Sequence, residues 1–369
     1  MTQPALATRL ARHIRAHGPM TVAAFMAVAL HDPEAGYYAN RQPLGAAGDF
    51  VTAPEVSQIF GEIVGASCAE CWARMGRPAP VVLAELGPGR GTLMSDLLRA
   101  AATAPGFRAA VRLALVEASP ILRREQHQRL AEFNPTWVDT LDDVPDGPLL
   151  LVANEFLDAL PIRQLVRGRA GWAERMVAAD EAGRLCLVDG AEGQALSLLV
   201  PEARRDAAAG AIVELCPAAT TLAAVLAERL VRQPGAAWFI DYGYADGSPG
   251  ATLAAVGQHR AAGILESPGD ADLSAHVDFA AFAEAARTAG AAVHGPVTQR
   301  DFLLRLGAAE RHALLRHRAT PAQRAGLDAG YRRLIDPEEM GTLFKVLAVT
   351  SPNLPPPEGF GDGATTARG

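Results

Sequence analysis

The chain has 369 residues, of which 49% are hydrophobic and 20% are charged, so it carries enough apolar material for a buried core. A formal net charge of −7 argues against a non-specific nucleic-acid binder, because such proteins are basic. No apolar run approaches the roughly 18 residues of a membrane helix, and the amino-terminal sequence lacks the apolar core of a secretory signal. We therefore expect no nucleic-acid partner and no membrane insertion.

The usage of basic residues bears on origin rather than on chemistry. Lys345 is the only lysine, and arginine and alanine are abundant. This bias is typical of a GC-rich bacterial genome, so the composition predicts a bacterial protein. Because the sequence shows no membrane helix and no secretory signal, we expect the protein in the cytoplasm. The N-terminus is rich in arginine and amphipathic, so a transit peptide is the alternative to an ordinary first helix. The oligomeric state is left open.

Residues 1–75 are predicted to form an N-terminal helical or lid region. Short helices precede a loop rich in glycine and proline, which runs from Asp32 to Pro54. A longer helix is expected to begin at Pro54 or Glu55 and to end near Met75, because proline is favourable in the first helical turn.

Buried strands alternate with helices in residues 76–166. Short apolar runs, each followed by a helical pattern, are typical of parallel strands joined by right-handed crossovers. The predicted strands are Val81 to Leu86, Val111 to Glu117, Thr136 to Leu141 and Pro148 to Phe156. We therefore predict an α/β fold with a doubly wound sheet, whose cofactor-binding half is this segment.

The alternation is interrupted by residues 167–210. Turn residues from Asp180 to Gly183 separate two strand-like stretches, which predicts a β-hairpin within an insertion. The α/β pattern resumes in residues 211–350, the remainder of the core. The segment 351–369 is rich in proline and glycine and is predicted to be a disordered tail.

The strongest motif is a glycine-rich turn between the first buried strand and the next helix. The sequence AELGPGRGTL places Gly87, Pro88, Gly89 and Gly91 where the backbone must turn tightly and approach a ligand. The helix behind the turn presents free N–H groups. A purely structural role is the competing interpretation, because glycines are common at such turns.

Two acidic residues accompany this turn. Glu85 precedes it, and Glu117 ends the next strand. A carboxylate at the end of the second strand can accept hydrogen bonds from both ribose hydroxyls, as in dinucleotide-binding folds. The turn and the two acids together predict a binding site for a nucleoside-type cofactor.

The spacing of the glycines bears on which cofactor binds. A nicotinamide site favours G-x-G-x-x-G, and here Thr92 occupies the sixth position. The observed G-x-G-x-G pattern with a preceding acid resembles motif I of class I S-adenosylmethionine-dependent methyltransferases. The resemblance implies S-adenosylmethionine as the cofactor, with Glu85 near the ammonium of its amino-acid end.

A second motif, VANEFLDALP, follows another buried strand. It places Asn154, Glu155 and Asp158 at the carboxyl edge of the sheet, where ligands of open α/β sheets bind. We predict that these three residues are catalytic, that Asn154 also contacts the cofactor, and that Asp241 of the later FIDYGY strand joins them. Helix capping by Asn154 or Asp158 is the alternative.

Other reactive side chains are interpreted as structural. Cys68 and Cys71 form a C-x-x-C without a second such pair or a nearby pair of histidines, so we expect two buried helix residues and no metal site. We expect His276 to be packed and hydrogen-bonded. Trp137 is predicted to lie in the core or beside the cofactor's adenine.

With both motifs in hand, the chain resembles the MidA-like family, which includes the mitochondrial complex I assembly-factor protein arginine methyltransferase. The match spans about residues 20–350 in family order. The matching segments are HDPEAGYY, GDFVTAPEVSQIFGE, ELGPGRGTL, ALVEASP, LVANEFLDALP, FIDYGY, DLSAHVDF and MGTLFKVLAV.

The resemblance implies a mostly parallel, seven-stranded class I methyltransferase sheet with an N-terminal helical region and an insertion. It also implies methyl transfer to an arginine of a protein substrate, such as a core subunit of respiratory complex I. A guanidinium is protonated and a poor nucleophile, so carboxylates are expected to hold it. Glu155, Asp158 and Asp241 are the candidates, and Asp49 and Glu55 are expected to close over the site.

Three alternatives are weighed against this prediction. In the first alternative, the protein is an assembly factor or regulator that binds the cofactor without essential turnover. In the second, it methylates a small molecule. A nicotinamide-dependent oxidoreductase is disfavoured by the glycine spacing. The acceptor and the degree of methylation are not determined by the sequence.

Overall fold

The structure is a computed structural model that describes residues 5–40, 52–246, 250–257 and 260–361. The amino-terminal elements are helical apart from one two-residue strand. In chain order they are α1 (Leu6–His17), β1 (Met20–Thr21), α2 (Val22–His31), α3 (Tyr37–Asn40), α4 (Ala53–Val56) and α5 (Gln58–Arg74).

Strands and helices then alternate through the middle of the chain. The first of these elements are β2 (Val81–Leu86), α6 (Thr92–Ala101), α7 (Phe107–Ala110), β3 (Val111–Val116), α8 (Pro120–Leu130), β4 (Thr136–Val138) and β5 (Leu149–Asn154). The next are β6 (Arg163–Arg167), β7 (Trp172–Ala179), β8 (Leu185–Asp189), β9 (Ile212–Leu215), α9 (Pro217–Arg232) and β10 (Gly235–Tyr244).

The carboxyl-terminal part contains short strands, a group of helices and the last long strand. Its elements are β11 (Ala254–Gly257), β12 (Arg260–Ala262), β13 (Asp272–Ser274), β14 (Val277–Asp278), α10 (Phe279–Thr288), β15 (Ala292–Thr298), α11 (Gln299–Arg305), α12 (Ala308–Arg318), α13 (Pro321–Ile335), α14 (Met340–Leu343) and β16 (Phe344–Thr350).

Seven strands form the main sheet in the order β15-β16-β10-β5-β2-β3-β4, and the two-residue β14 pairs with the end of β10. The path from β10 to β4 is parallel throughout, and only β16 runs antiparallel to its neighbours. The chain reverses from β3–β4 on one side to β5–β10 on the other, so the sheet is doubly wound. The predicted fold class is confirmed.

Alternation along β2 explains why both faces of the sheet are covered. Val81 and Leu83 pack with α5 and α6 on one face, whereas Val82 and Ala84 pack with α9 and α10 on the other. Successive side chains of a strand point to opposite faces, so a fully apolar strand requires helices on both sides. This arrangement places the carboxyl ends of β2, β3, β5 and β10 at one common edge.

A second region, the accessory lobe, consists of α1–α3, β1, β6–β9 and β11–β13. Strands β1, β7, β6 and β9 form an antiparallel sheet to which β8 adds, and β11–β13 form a three-stranded sheet. Side chains of α1 and α2 pack against β7 and β13. The predicted hairpin is present as β7 and β8, and its sheet also includes β6 and β9, which flank the predicted insertion. The predicted domain limits otherwise stay predictions.

Helices α11–α14 lie between β15 and β16 and are not among the elements named in the sequence analysis. The Arg311 guanidinium of α12 binds the buried carboxylate of Glu62 in α5 through two hydrogen bonds of 2.6 and 2.8 Å. The bidentate pair ties α12 to α5. Within the described ranges, no helix is both long and apolar enough to cross a membrane.

Candidate active site

The glycine turn connects β2 to α6 at the carboxyl edge of the main sheet. Gly87, Gly89 and Gly91 have φ angles of +61°, +52° and +75°, in the left-handed region that side chains with a Cβ rarely adopt. A Cβ on Gly87 would lie 2.9 Å from Cδ2 of Phe156. Glycine therefore adopts this path without the strain that a Cβ would add at these positions.

Glu85 lies one residue before the end of β2 and is 3% exposed. Its Oε2 atom has no hydrogen-bond donor among the residues that the structure describes. Burial, together with the charge of Glu117, raises the pKa of Glu85 to about 8. A buried carboxyl without a donor is costly, so this position fits a cationic group such as the cofactor's ammonium.

Glu117 immediately follows β3 and is held by two donors. The backbone N–H of Ser119 donates to Oε1 across 2.8 Å, and Nε2 of Gln126 donates to Oε2 across 3.1 Å. Burial raises the pKa of Glu117, whereas the two donors lower it. A carboxylate has about four acceptor positions, so these donors leave capacity for a ribose hydroxyl.

Gln126 is a candidate site residue that the sequence analysis did not predict. Its Nε2 atom also donates to the carbonyl oxygen of Gly89 across 2.6 Å, and its Oε1 accepts from Nε1 of Trp137 across 2.8 Å. A signal was present in the sequence. Gln126 lies four residues from both Leu122 and Leu130, so an amide occupies the buried face of α8.

The segment after β5 forms a tight turn around candidate catalytic groups. Glu155 has φ of +50°, a strained backbone for a residue with a Cβ. Its Oε1 accepts from the side-chain amide of Asn154 across 3.1 Å and from the backbone N–H of Ala53 across 3.0 Å. The other amide atom, Asn154 Oδ1, is buried without a described partner. Burial raises the pKa of Glu155 to about 7.

Asp241 holds this turn through hydrogen bonds to its backbone. Its Oδ2 accepts from the backbone N–H groups of Phe156, Leu157 and Asp158 at 3.1, 2.9 and 3.2 Å, and its Oδ1 accepts from that of Tyr242 at 2.9 Å. The carboxylate is 1% exposed, so it is enclosed by the turn that it holds. Burial and neighbouring acids raise its pKa, and these N–H donors oppose the rise.

Asp158 lies where the main sheet meets the accessory lobe. Its Oδ2 accepts from the hydroxyl of Tyr242, and its carbonyl oxygen accepts from the N–H of Ala275, just after β13, across 3.0 Å. Asp158 Oδ1 is buried without a partner among the described residues, and burial raises the pKa to about 6. A second pair lies nearby, in which Tyr38 of α3 donates to Asp272 of β13 across 2.9 Å.

Helix α4 covers the cofactor end of this edge. The Glu55 carboxylate accepts a short hydrogen bond from the hydroxyl of Thr92 and lies 3.7 Å from the Arg90 guanidinium of the glycine turn. Together with the contact between Ala53 and Glu155, this helix bridges the two predicted motifs. Asp49, the other predicted covering residue, lies outside the described residues.

Among the described residues, the side chains of Cys68, Cys71 and His276 make no hydrogen bond to this edge. Cys68 and Cys71 are buried in α5, and burial raises the pKa of both thiols. The His276 ring lies against the rings of Tyr242 and Tyr244. No group of three or more His, Cys, Asp or Glu side chains in the described part of the chain is placed to hold a metal ion.

Known proteins resemble this chain over most of its length. A family model of S-adenosyl-L-methionine-dependent methyltransferases matches residues 63–297. The mitochondrial protein arginine methyltransferase NDUFAF7 of Danio rerio is 38% identical over 368 residues, covering 92% of this chain and 85% of the relative. The corresponding homolog of Drosophila melanogaster is 38% identical over 378 residues, covering 93% and 84%.

Solved structures agree with the fold and the cofactor. A crystal structure of a Burkholderia thailandensis protein bound to S-adenosyl-homocysteine is 31% identical and superimposes with a TM-score of 0.81, covering 96% of this chain and 93% of the other. A native structure of a protein from the same organism is 30% identical with a TM-score of 0.79 and the same coverage.

These comparisons correct one prediction and establish the cofactor. The expected bacterial, cytoplasmic protein is contradicted, because the curated relatives are mitochondrial proteins of animals. The nicotinamide alternative is also set aside, since the matching family uses S-adenosylmethionine. The chain belongs to the family of S-adenosyl-L-methionine-dependent methyltransferases.

Proposed function

We propose that the protein transfers the methyl group of S-adenosylmethionine to an arginine side chain of a partner protein. The observation that carries the proposal is the group of acceptor oxygens at the carboxyl edge. Glu155 and Asp158 lie within one turn, and Asp158 Oδ1 is buried without a described donor. The naming of relatives as protein arginine methyltransferases supports the same acceptor.

The cofactor supplies an activated methyl group on a sulfonium. In the proposal, Glu85 holds its ammonium, and the turn of Gly87, Pro88, Gly89 and Gly91 leaves room for its amino-acid end. Glu117 accepts hydrogen bonds from the ribose hydroxyls. Asn154, at the end of β5, contacts the cofactor through its buried Oδ1.

The acceptor needs groups that orient a cation and lower the barrier to its attack. A guanidinium keeps its charge in water and delocalises its lone pairs, so it is a poor nucleophile. It reacts only when one nitrogen is held in line with the methyl group. In the proposal, Glu155 and Asp158 accept its N–H groups and bring one nitrogen into line with the methyl group. Asp241 acts through the backbone of the turn, which makes it a positioning residue.

Aromatic hydroxyls complete the acceptor side of the proposed site. Tyr242 keeps one oxygen of Asp158 occupied and directs the other toward the acceptor. Tyr38 and Asp272 bring a third carboxylate from the accessory lobe to the same region. This arrangement ties acceptor binding to the contact between the lobe and the main sheet.

The first substrate to test is a core subunit of respiratory complex I, the target that the family resemblance implies. Purified protein is incubated with labelled cofactor and the subunit, and the product is analysed by mass spectrometry. We expect methylarginine. A label on lysine would contradict the arginine proposal. In a parallel incubation with a cell extract, a labelled small molecule would indicate a small-molecule acceptor instead. Tight cofactor binding with no labelled product would favour an assembly role without turnover.

A further inference from the structure

We propose that Gln126 and Trp137 form a bridge that holds the glycine turn and Glu117 at a fixed separation and thereby sets the affinity for the cofactor. The bridge joins Trp137 Nε1 to Gln126 Oε1, and Gln126 Nε2 to both Gly89 and Glu117. Neither residue belongs to the two sequence motifs. The proposal concerns the established cofactor and does not depend on the nature of the methyl acceptor.

The three neighbours determine the orientation of the Gln126 amide. The indole N–H of Trp137 is only a donor, so it must face the amide oxygen. The Gly89 carbonyl and the Glu117 carboxylate are acceptors, so both must face the amide nitrogen. Its two N–H groups are therefore shared between the two parts of the cofactor site.

The Gln126 amide is fully buried, so its polar groups depend on contacts within the protein. Gln126 is 0% exposed and lies between Leu122 and Leu130 on the inner face of α8. A leucine or methionine would fill this position without desolvating an amide, which is costly when its hydrogen bonds are not made. Here all three are made, with distances of 2.6, 2.8 and 3.1 Å.

The rest of α8 braces the same turn. A Cβ on Gly91 would lie 3.2 Å from Leu130, and Arg90 donates to Glu125 across 3.1 Å. Gln126 is the residue of α8 that contacts both Gly89 and Glu117. It therefore fixes the position of Glu117, the proposed ribose ligand, relative to the glycine turn, which is proposed to receive the cofactor's amino-acid end.

The test measures the binding of S-adenosyl-homocysteine to the full chain by calorimetry at pH 6.5 and 8.5. Gln126→Met keeps the volume and removes the donors, and we expect an affinity about 10- to 100-fold lower. The Gln126 donor lowers the pKa of Glu117, so its removal raises that pKa and the loss of affinity should grow as the pH falls. Glu85, which interacts with Glu117 and has a pKa of about 8, titrates in the same range, so each variant is compared with the parent at the same pH. Gln128→Met, an exposed glutamine on the same helix, is the matched control and should bind as the parent does.

Gln126→Glu should show the opposite dependence on pH. At pH 8.5 the introduced carboxylate faces Glu117 and the Gly89 carbonyl, so binding should fall by more than in Gln126→Met. As the pH falls, the shared site takes up a proton, and the new O–H donates to Glu117. Binding should partly recover. A structural defect alone would not give two variants with opposite slopes.

Trp137→Phe tests the bridge with a smaller change. It removes one N–H and keeps an aromatic ring, and we expect an affinity about 2- to 10-fold lower in a protein that still unfolds cooperatively. The bridge is disproved if this folded variant binds S-adenosyl-homocysteine like the parent. It is also disproved if Gln126→Met and Gln126→Glu change in parallel with pH. If both Gln126 variants fail to fold, the result for Trp137→Phe decides.

Discussion

The hydroxyl of Tyr242 donates to Asp158 Oδ2 across 2.5 Å, which joins the end of β10 to the turn after β5. The contact leaves Asp158 Oδ1 as a buried acceptor without a described partner. It also favours the ionised carboxylate, since the hydrogen bond from Tyr242 opposes the effect of burial, which leaves the pKa of Asp158 raised to about 6. Tyr242 thus controls both the direction and the charge of a proposed acceptor group.

Tyr242→Phe should move the acid limb of the pH–rate profile to higher pH. Loss of the hydroxyl raises the pKa of Asp158 further, so the ionised form becomes scarcer near neutrality. We expect turnover to fall by roughly tenfold at pH 6.5 and by less at pH 8.5. Initial rates across this range check the prediction, and an acid limb in the parent position would contradict it.

Glu155→Gln should lower turnover by about 10²-fold while leaving the affinity for S-adenosyl-homocysteine nearly unchanged. The variant keeps the shape of the side chain and its contact with Ala53, but loses the charge proposed to orient the acceptor. Single-turnover rates and calorimetry on one preparation separate the two effects. Full turnover of the variant on a confirmed substrate would show that Glu155 is not catalytic.

The same variant should change how stability depends on pH. The pKa of Glu155 is about 7 in the folded protein and lies near 4.5 when unfolded, so the folded state binds the extra proton between these values. The contribution of Glu155 to the unfolding free energy therefore falls as the pH rises from about 4.5 to 7. Glu155→Gln lacks this loss, so its stability relative to the parent should be higher at pH 8 than at pH 5. Urea unfolding at both values tests the sign.

Asp241→Asn should destabilise the fold rather than act only on chemistry. The carboxylate accepts four backbone N–H groups, and an amide would turn its own N–H₂ toward at least one of those donors. We expect a loss of about 2–4 kcal/mol in unfolding free energy. Asp180→Asn, at an exposed β-turn, is a control in which an acid also accepts a backbone N–H. A fully stable Asp241→Asn would show that the turn does not depend on this acid.

Gly87→Ala should weaken cofactor binding. The left-handed backbone costs about 1–2 kcal/mol for a residue with a Cβ, and the new methyl would press on Phe156 in the neighbouring turn. Gly76→Ala is the matched control, because Gly76 also has positive φ but its Cβ position is empty. Equal affinity for S-adenosyl-homocysteine in both variants would mean that the contact with Phe156 is unimportant.

Several features of the site were predictable from short stretches of sequence. The apolar run of β2, the glycines after it and the acid ending β3 are separated by the lengths of one strand and one helix. Their meeting at a single sheet edge follows from parallel pairing alone. The helices of residues 299–335 were not predicted, because they form a group between two paired strands, β15 and β16, and so depart from the alternation of single strands and helices.

By itself, the sequence determined the sheet and the glycine turn, because side-chain alternation and glycine's access to positive φ are local properties. Only the tertiary structure decided which groups Asp241, Gln126 and the pair of Tyr38 and Asp272 contact. Each of these acts through partners far away in the chain, and a hydrogen bond depends on distances that folding sets. Asp241 is an example: its place at the end of the FIDYGY strand predicts a catalytic carboxylate, and the structure adds that it accepts four backbone N–H groups, three of them from the turn that follows Glu155.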